Sequence, residues 1–129
     1  SDGELNEGSN WEAFMFAAHQ KLDNLIVIVD YNKIQSLDTV EKTLGIEPLG
    51  DKFESFGLHV RSCNGNNIQS LQKCFKDLKA ETSRKPKILI ANTTKGSGVS
   101  FMENKVSWHY KSPNKDELEL AIMELENEK

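Results

Sequence analysis

The sequence predicts an α/β fold, a parallel sheet with flanking helices, and three observations predict it. Leu25-Ile26-Val27-Ile28-Val29 and the run from Lys87 to Ala91 are apolar without alternation, as strands covered on both faces of a parallel sheet are. Helical patterns separate these runs from each other and from a third strand pattern at Leu58 to Cys63, and alternating helices and strands build layered α/β folds. The 129 residues, 37% of them hydrophobic, fit one domain over 1–129 with one core.

Along the chain, Ser9 followed by Glu12 forms a capping-box pattern. It predicts a helix from about Asn10 to Lys21 with Phe14, Ala17, Ala18 and Leu22 on the buried side. Asp23-Asn24 breaks that helix, and Leu25 to Val29 follows as a central strand. Residues 31–47 carry no clear period and read as loop. Leu49, Phe53 and Phe56 are spaced for a short helix stopped by Gly57. After the Leu58–Cys63 strand, Asn64-Gly65-Asn66-Asn67 is a turn. Asn67 then caps a helix carrying Ile68, Leu71, Phe75 and Leu78 on one stripe. Lys85-Pro86 ends that region before the Lys87–Ala91 strand, and a polar, glycine-containing loop runs from Asn92 to Gly98. Pro113-Asn114 with Glu117 opens a last amphipathic helix bearing Leu118, Ile122 and Leu125.

Twenty acidic against sixteen basic side chains give a net charge of −4, which argues against nucleic acid as a partner, since its binders show a basic patch or stripe. No apolar run approaches the ~20 residues that cross a bilayer, so no membrane partner is expected, and no signal-peptide pattern is present. Cys63 and Cys74 lack a CxxC or His-rich context and read as reduced thiols of a cytoplasmic protein. The sequon Asn92-Thr93-Thr94 ends a strand pattern and is discounted. Ser1-Asp2-Gly3 reads as the tail of a strand-to-helix turn, so the chain is expected to be a piece of a longer one.

In parallel sheets ligands bind beyond the carboxyl ends of the strands. Asp2-Gly3, Tyr31-Asn32-Lys33-Ile34 and the loop from Thr93 to Gly98 are expected there. The Asp2 carboxylate and the Asn32 amide oxygen are hard ligands, suited to Mg²⁺ or Ca²⁺. Gly3 lets backbone approach a phosphate closely. Asp-Gly alone is a common turn, and an Asn after a strand is usually a turn residue. Their joint placement, thirty residues apart around a helix and an apolar strand, carries more information.

Ser1-Asp2-Gly3-Glu4-Leu5-Asn6-Glu7-Gly8, Trp11-Glu12-Ala13 and Asp30-Tyr31-Asn32-Lys33 resemble the thiamine diphosphate fingerprint of transketolases. The likeness is strongest to the separate amino-terminal subunit of bacterial and archaeal split transketolases. It continues through Gln35-Ser36-Leu37-Asp38, Asp51-Lys52-Phe53, the stretch from Lys95 to Asn104, and Trp108-His109. It implies Asp2, Asn32 and the Ile34 carbonyl as Mg²⁺ ligands, and Gly3 with Asn32, Ile34 and His109 as residues that bind thiamine diphosphate. It further implies that His109 lies near the reacting oxygens and that Glu7 belongs to an acid network between paired active sites, both as catalytic residues. The implied reaction moves a two-carbon ketol unit from a ketose phosphate to an aldose phosphate, in carbohydrate metabolism of the pentose phosphate type. Sugar phosphates and a subunit with the pyrimidine domain are the implied partners, in a homo- or hetero-oligomer. The chain would then be the carboxyl-terminal half of the amino-terminal subunit, an incomplete thiamine diphosphate-binding domain that is inactive by itself.

Ser1 and Tyr110 stand where the family usually has glycine, which predicts a stiffer turn before Asp2 and crowding at His109. His19, in a helix pattern, and His59, in a strand pattern, read as structural, and Trp11, Phe14 and Phe16 as core or interface. Gly96-Ser97-Gly98 is neither a dinucleotide fingerprint nor a Walker loop. Two other readings stand beside transketolase. One is a relative with the same cofactor, deoxyxylulose-phosphate synthase or a 2-oxoacid dehydrogenase E1 subunit. The other is a non-catalytic remnant or assembly subunit.

Overall fold

The computed structural model describes residues 1–127. A 3-10 turn, Gly3–Asn6, leads into α1 (Gly8–His19) and then β1 (Ile26–Tyr31). Two short helices, α2 (Val40–Leu44) and α3 (Leu49–Ser55), precede β2 (His59–Asn64), α4 (Ile68–Ala80) and β3 (Lys87–Asn92). A second 3-10 turn, Val106–His109, and α5 (Lys115–Asn127) complete the described chain. The three strands are parallel in the order β1-β3-β2, with Tyr31, Asn92 and Asn64 aligned at their carboxyl ends. The α/β class with a parallel sheet and flanking helices is therefore as the sequence predicts.

β3 is the central strand, and Lys87 through Ala91 are all buried. The Lys87 ammonium escapes isolation by donating to the Asp23 carbonyl. β1 corrects an expectation: it is an edge strand among the described residues, and Ile28 is 53% exposed. An apolar run signals burial, but strand order is set by the crossovers, which local sequence does not encode.

The main core gathers Val29 and Tyr31 of β1, Ile88 and Ile90 of β3, Leu58, and Trp11 and Phe14 of α1 with Phe53 of α3, while Phe16 is 61% exposed. Trp11 stacks on Phe53 with ring centroids 5.5 Å apart, and Phe14 meets Phe53 edge-on at 5.3 Å. Trp11 Nε1 donates to the Leu5 carbonyl at 2.7 Å, tying α1 to the turn that carries Asp2. Under α4, Cys74, Leu78 and Leu89 form a second cluster against Cys63. Both cysteines are free, and burial beside Cys63 pushes the Cys74 thiol up to about 11, leaving it protonated at neutral pH. His59 is half-buried within β2, where burial and then Arg61 hold its pKa below the ordinary value.

Several caps are as expected. Asn67 Oδ1 accepts from the Ser70 N–H at 2.7 Å. Asn114 and Glu117 exchange side chain-to-backbone bonds at 2.8 and 2.9 Å. Gly57 takes φ +87 after α3, a conformation glycine enters without a Cβ penalty.

Others differ. Ser9 lies inside α1, whose N-cap is the extended Glu7 at the end of the 3-10 turn, without a side-chain bond. Leu22 lies past the end of α1 and is 37% exposed. The segment 31–47 contains α2, capped by Thr39 and anchored by Val40 alone. Ile68 is 67% exposed at the first turn of α4. On α5 only Ala121 is buried, and Leu118, Ile122 and Leu125 stay about half exposed. The last two residues of the acidic terminal stretch, 128 and 129, lie outside the described residues.

Candidate functional site

The site grows from the carboxyl end of β1. Alternation sends Val29 and Tyr31 into the core and leaves Asp30 on the open side. The Tyr31 hydroxyl donates to Glu47 Oε1 at 2.6 Å, fixing the point where the strand gives way to the loop. Lys33 turns that loop with φ +64, and Ile34 bridges to Thr39. Asn32 Oδ1 accepts from the Ile34 N–H at 3.0 Å, an Asx turn that fixes its amide.

Asp2 reaches this loop from the other side. Its backbone N–H donates to the Asp30 carbonyl at 3.2 Å. Its carboxylate, 2% exposed, accepts from the Gly3 N–H through Oδ1 and from the Lys33 N–H through Oδ2, both at 2.7 Å. One side chain therefore staples the Asp-Gly turn to the loop after β1. Burial pushes the Asp2 pKa above the usual carboxylate value, opposed by the two backbone N–H groups and aided by Asp30.

A cavity of about 480 Å³ opens here, with Asp2, Gly3, Asn32, Ile34, Lys95 and His109 in its wall. His109 arrives on the second 3-10 turn, and its Nε2 lies 3.2 Å from Ser36 Oγ. Tyr110 packs against His109: its ring meets the imidazole edge-on at 4.8 Å, while it is 79% exposed and outside the cavity wall. Glu7 is exposed at the head of α1 and does not line this cavity. A larger cavity of about 700 Å³ shares Asn32 and Ile34 but lacks Asp2, Gly3 and His109, so the convergent polar groups mark the smaller one.

Among the described residues no group of three His, Cys, Asp or Glu could hold a metal ion. Asp2, Asn32 and Ile34 offer a carboxylate, an amide oxygen and a backbone carbonyl here, which fit a hard cation, and the Asp30 and Glu4 carboxylates share the wall. Each Asp2 oxygen and Asn32 Oδ1 accepts one backbone N–H, which orients it and leaves a lone pair over. Lys95 joins them, a residue the sequence marks only as part of the Thr93–Gly98 loop and the stretch from Lys95 to Asn104. It lies within the glycine-containing loop after β3, and its ammonium shares the wall with Asp2, Asp30 and Glu4. Asp30 itself accepts from the Thr93 hydroxyl, joining the ends of β1 and β3.

The family model described as the thiamine diphosphate binding domain of transketolase matches residues 1–126. The chain belongs to this transketolase family. It is 49% identical over 127 residues to one of the subunits of the apulose-4-phosphate transketolase from Actinobacillus succinogenes, covering 98% of this chain and 45% of that one. It is 37% identical over 124 residues to human transketolase, covering 96% of this chain and 19% of that one. The transketolase of Campylobacter jejuni superposes with a TM-score of 0.76 at 27% identity, over 98% of this chain and 23% of that structure. This transketolase-family chain thus spans less than half the length of the curated relatives it matches.

Proposed function

We propose that this chain supplies the thiamine diphosphate and Mg²⁺ side of a transketolase active site. It works with a subunit carrying the pyrimidine domain, in the cytoplasm, on sugar phosphates. The observation that carries this reading is the Asp2 carboxylate bridging the Gly3 and Lys33 N–H groups. It sets Asp2, Asn32 and Ile34 around one cavity as three oxygen donors. Mg²⁺ prefers six near-octahedral oxygens and shares them with phosphates, which leaves positions for the diphosphate. When bound, thiamine diphosphate supplies the carbon–carbon bond chemistry. The chain's own part is to bind and orient. Asp2, Asn32 and the Ile34 carbonyl hold the cation, Gly3 and Lys95 meet the diphosphate charge, and His109 offers a ring nitrogen to the sugar's oxygens. Relatives named transketolase subunits favour this reading over deoxyxylulose-phosphate synthase or a 2-oxoacid dehydrogenase E1, and their designation as subunits supports a partner chain.

Calorimetry on the assembled enzyme tests it. Wild type binds thiamine diphosphate only with Mg²⁺ present, and Asp2→Ala abolishes that Mg²⁺-dependent binding because one ligand and its charge are gone. Unchanged binding by the variant overturns the assignment. A wild-type assembly that binds cofactor without ketol transfer would instead support the non-catalytic reading.

A further inference from the structure

Asp2, Gln35 and Lys87 are buried polar residues among those described. Asp2 and Lys87 have their partners. Gln35, 8% exposed, is only half satisfied: its Oε1 accepts from Asn6 Nδ2 at 3.1 Å. Its Nε2 and Asn6 Oδ1 are buried with no hydrogen-bond partner among the described residues. Native interiors keep few such groups, and each calls for a reason. Gln35 is also firmly placed. Its backbone N–H donates to the Asp38 carbonyl at 2.8 Å. A methyl group built on Gly3 would stand 3.5 Å from Gln35 Cγ and 3.6 Å from Cδ. The stem therefore lies directly on Gly3, and Gln35 shares the cavity wall with Asp2, Asn32 and His109.

We infer that Gln35 is a further binding residue, whose side-chain amide N–H donates to an anionic oxygen of the diphosphate held at Asp2, Gly3 and Asn32, and that Asn6 is its positioning residue. This rests on the thiamine diphosphate reading above. An amide suits the place because it offers a donor without adding a charge beside Asp2 and Asp30. The last torsion of glutamine is broad, so the amide turns toward an entering ligand while Gly3 keeps the stem fixed. Asn6 follows the Asp-Gly turn and Gln35 follows Lys33 in the loop, so their bond also holds the turn and the loop together independently of Asp2.

Thiamine diphosphate, inorganic pyrophosphate and unphosphorylated thiamine, each with Mg²⁺, are titrated calorimetrically into the assembled enzyme. Gln35→Met keeps the length and removes the donor. It weakens thiamine diphosphate and pyrophosphate by about tenfold or more, as expected for a lost bond to a charged group, and leaves thiamine unchanged. Its metal-free melting temperature stays within a few degrees of the wild-type value, because the loss of the Asn6 Nδ2 bond is offset by removal of the unpaired Nε2 donor. Gln35→Glu, equal in shape, weakens the two phosphorylated ligands further and serves as the measurement should Gln35→Met fail to assemble. Wild-type affinity in either folded variant overturns the assignment of Gln35 and leaves the cofactor reading standing. A wild type that binds no thiamine diphosphate overturns the cofactor reading itself and this inference with it.

Discussion

Ser36 Oγ lies 3.2 Å from His109 Nε2, joining residues 73 positions apart. The bond links the loop after β1 to the long segment after β3. That segment has its own supports: Trp108 Nε1 donates to the Phe101 carbonyl at 3.0 Å, and the Lys111 ammonium sits 4.1 Å from the Trp108 ring centre. These contacts fix where the His109 backbone runs, and the ring itself is left to Ser36 and Tyr110.

Ser36→Ala therefore loosens the ring without disturbing the cation ligands. One hydrogen bond is worth about 0.5–1.5 kcal/mol, so kcat in the assembled enzyme falls roughly two- to tenfold while the affinity for thiamine diphosphate stays put. Ser36→Thr keeps a hydroxyl and restores most of the rate. Steady-state kinetics on both variants check this, and an equal loss in the threonine variant would show that the hydroxyl is not the cause.

Glu47 gives a pH-dependent prediction. Its carboxylate accepts from the Tyr31 hydroxyl at 2.6 Å and from the Leu49 N–H at 2.7 Å. The Tyr31 hydroxyl first, and then the Leu49 N–H, hold its pKa below the ordinary 4.5. A depressed folded pKa means the stabilisation is present above 4.5 and is lost as pH falls through the lower folded value. Glu47→Gln costs about 1 kcal/mol at pH 7 and flattens the stability curve in that acid window. Denaturant melts from neutral to acid pH compare the two, and parallel curves would rule out this source of acid sensitivity.

The parts of the fold legible in sequence are those decided locally. Asn67, Gly57 and the Asn114/Glu117 pair act within a turn of their own position, so residue type and spacing reveal them. The position of β1 at the edge and the exposure of Leu118, Ile122 and Leu125 depend on what lies across from them, which periodicity does not carry. Ser9 does not cap because the start of a helix depends on how the chain enters it. In the candidate site, Asp2, Gly3, Asn32, Ile34 and His109 fall around one cavity, whereas Glu7 stands apart. Lys95, Ser36 and Gln35 lie in stretches that carry the family resemblance, but residue type gives them no role until folding sets them in the same wall.

The same wall predicts what the chain does alone. His109 is its only histidine among the described residues, and His19 and His59 lie elsewhere. One histidine beside a cation site lacks the further acid and base groups that ketol transfer requires. The purified 129-residue chain is therefore expected to show no turnover with a ketose donor and an aldose acceptor in a coupled assay. Activity free of host transketolase would contradict this.

Assembly follows from the sheet edge. Among the described residues β1 pairs with β3 on one side, and its other side meets the Asp2 N–H at the Asp30 carbonyl. An open edge templates pairing with other chains. Apolar surface accompanies it: Ile28 is 53% exposed on β1, and Met15 and Phe16 are 50% and 61% exposed on α1. Covering a few hundred Å² of such surface is worth several kcal/mol at about 25 cal/mol per Å², comparable to a small domain's ~5–15 kcal/mol of stability. The isolated chain is thus expected to self-associate at micromolar concentration and to become soluble when co-expressed with the subunits that complete the enzyme. Ile28→Lys and Phe16→Lys separate the two sources of stickiness. Each should improve solubility of the chain alone, since a charge at an exposed apolar position opposes association, and each should weaken its capture into the complex by placing that charge in the interface. Sedimentation of the chain with and without its co-expressed partners reads both effects. A wild-type monomer with one cooperative melt above roughly 60 °C, the upper part of the mesophile range, would count decisively against an open edge that needs covering.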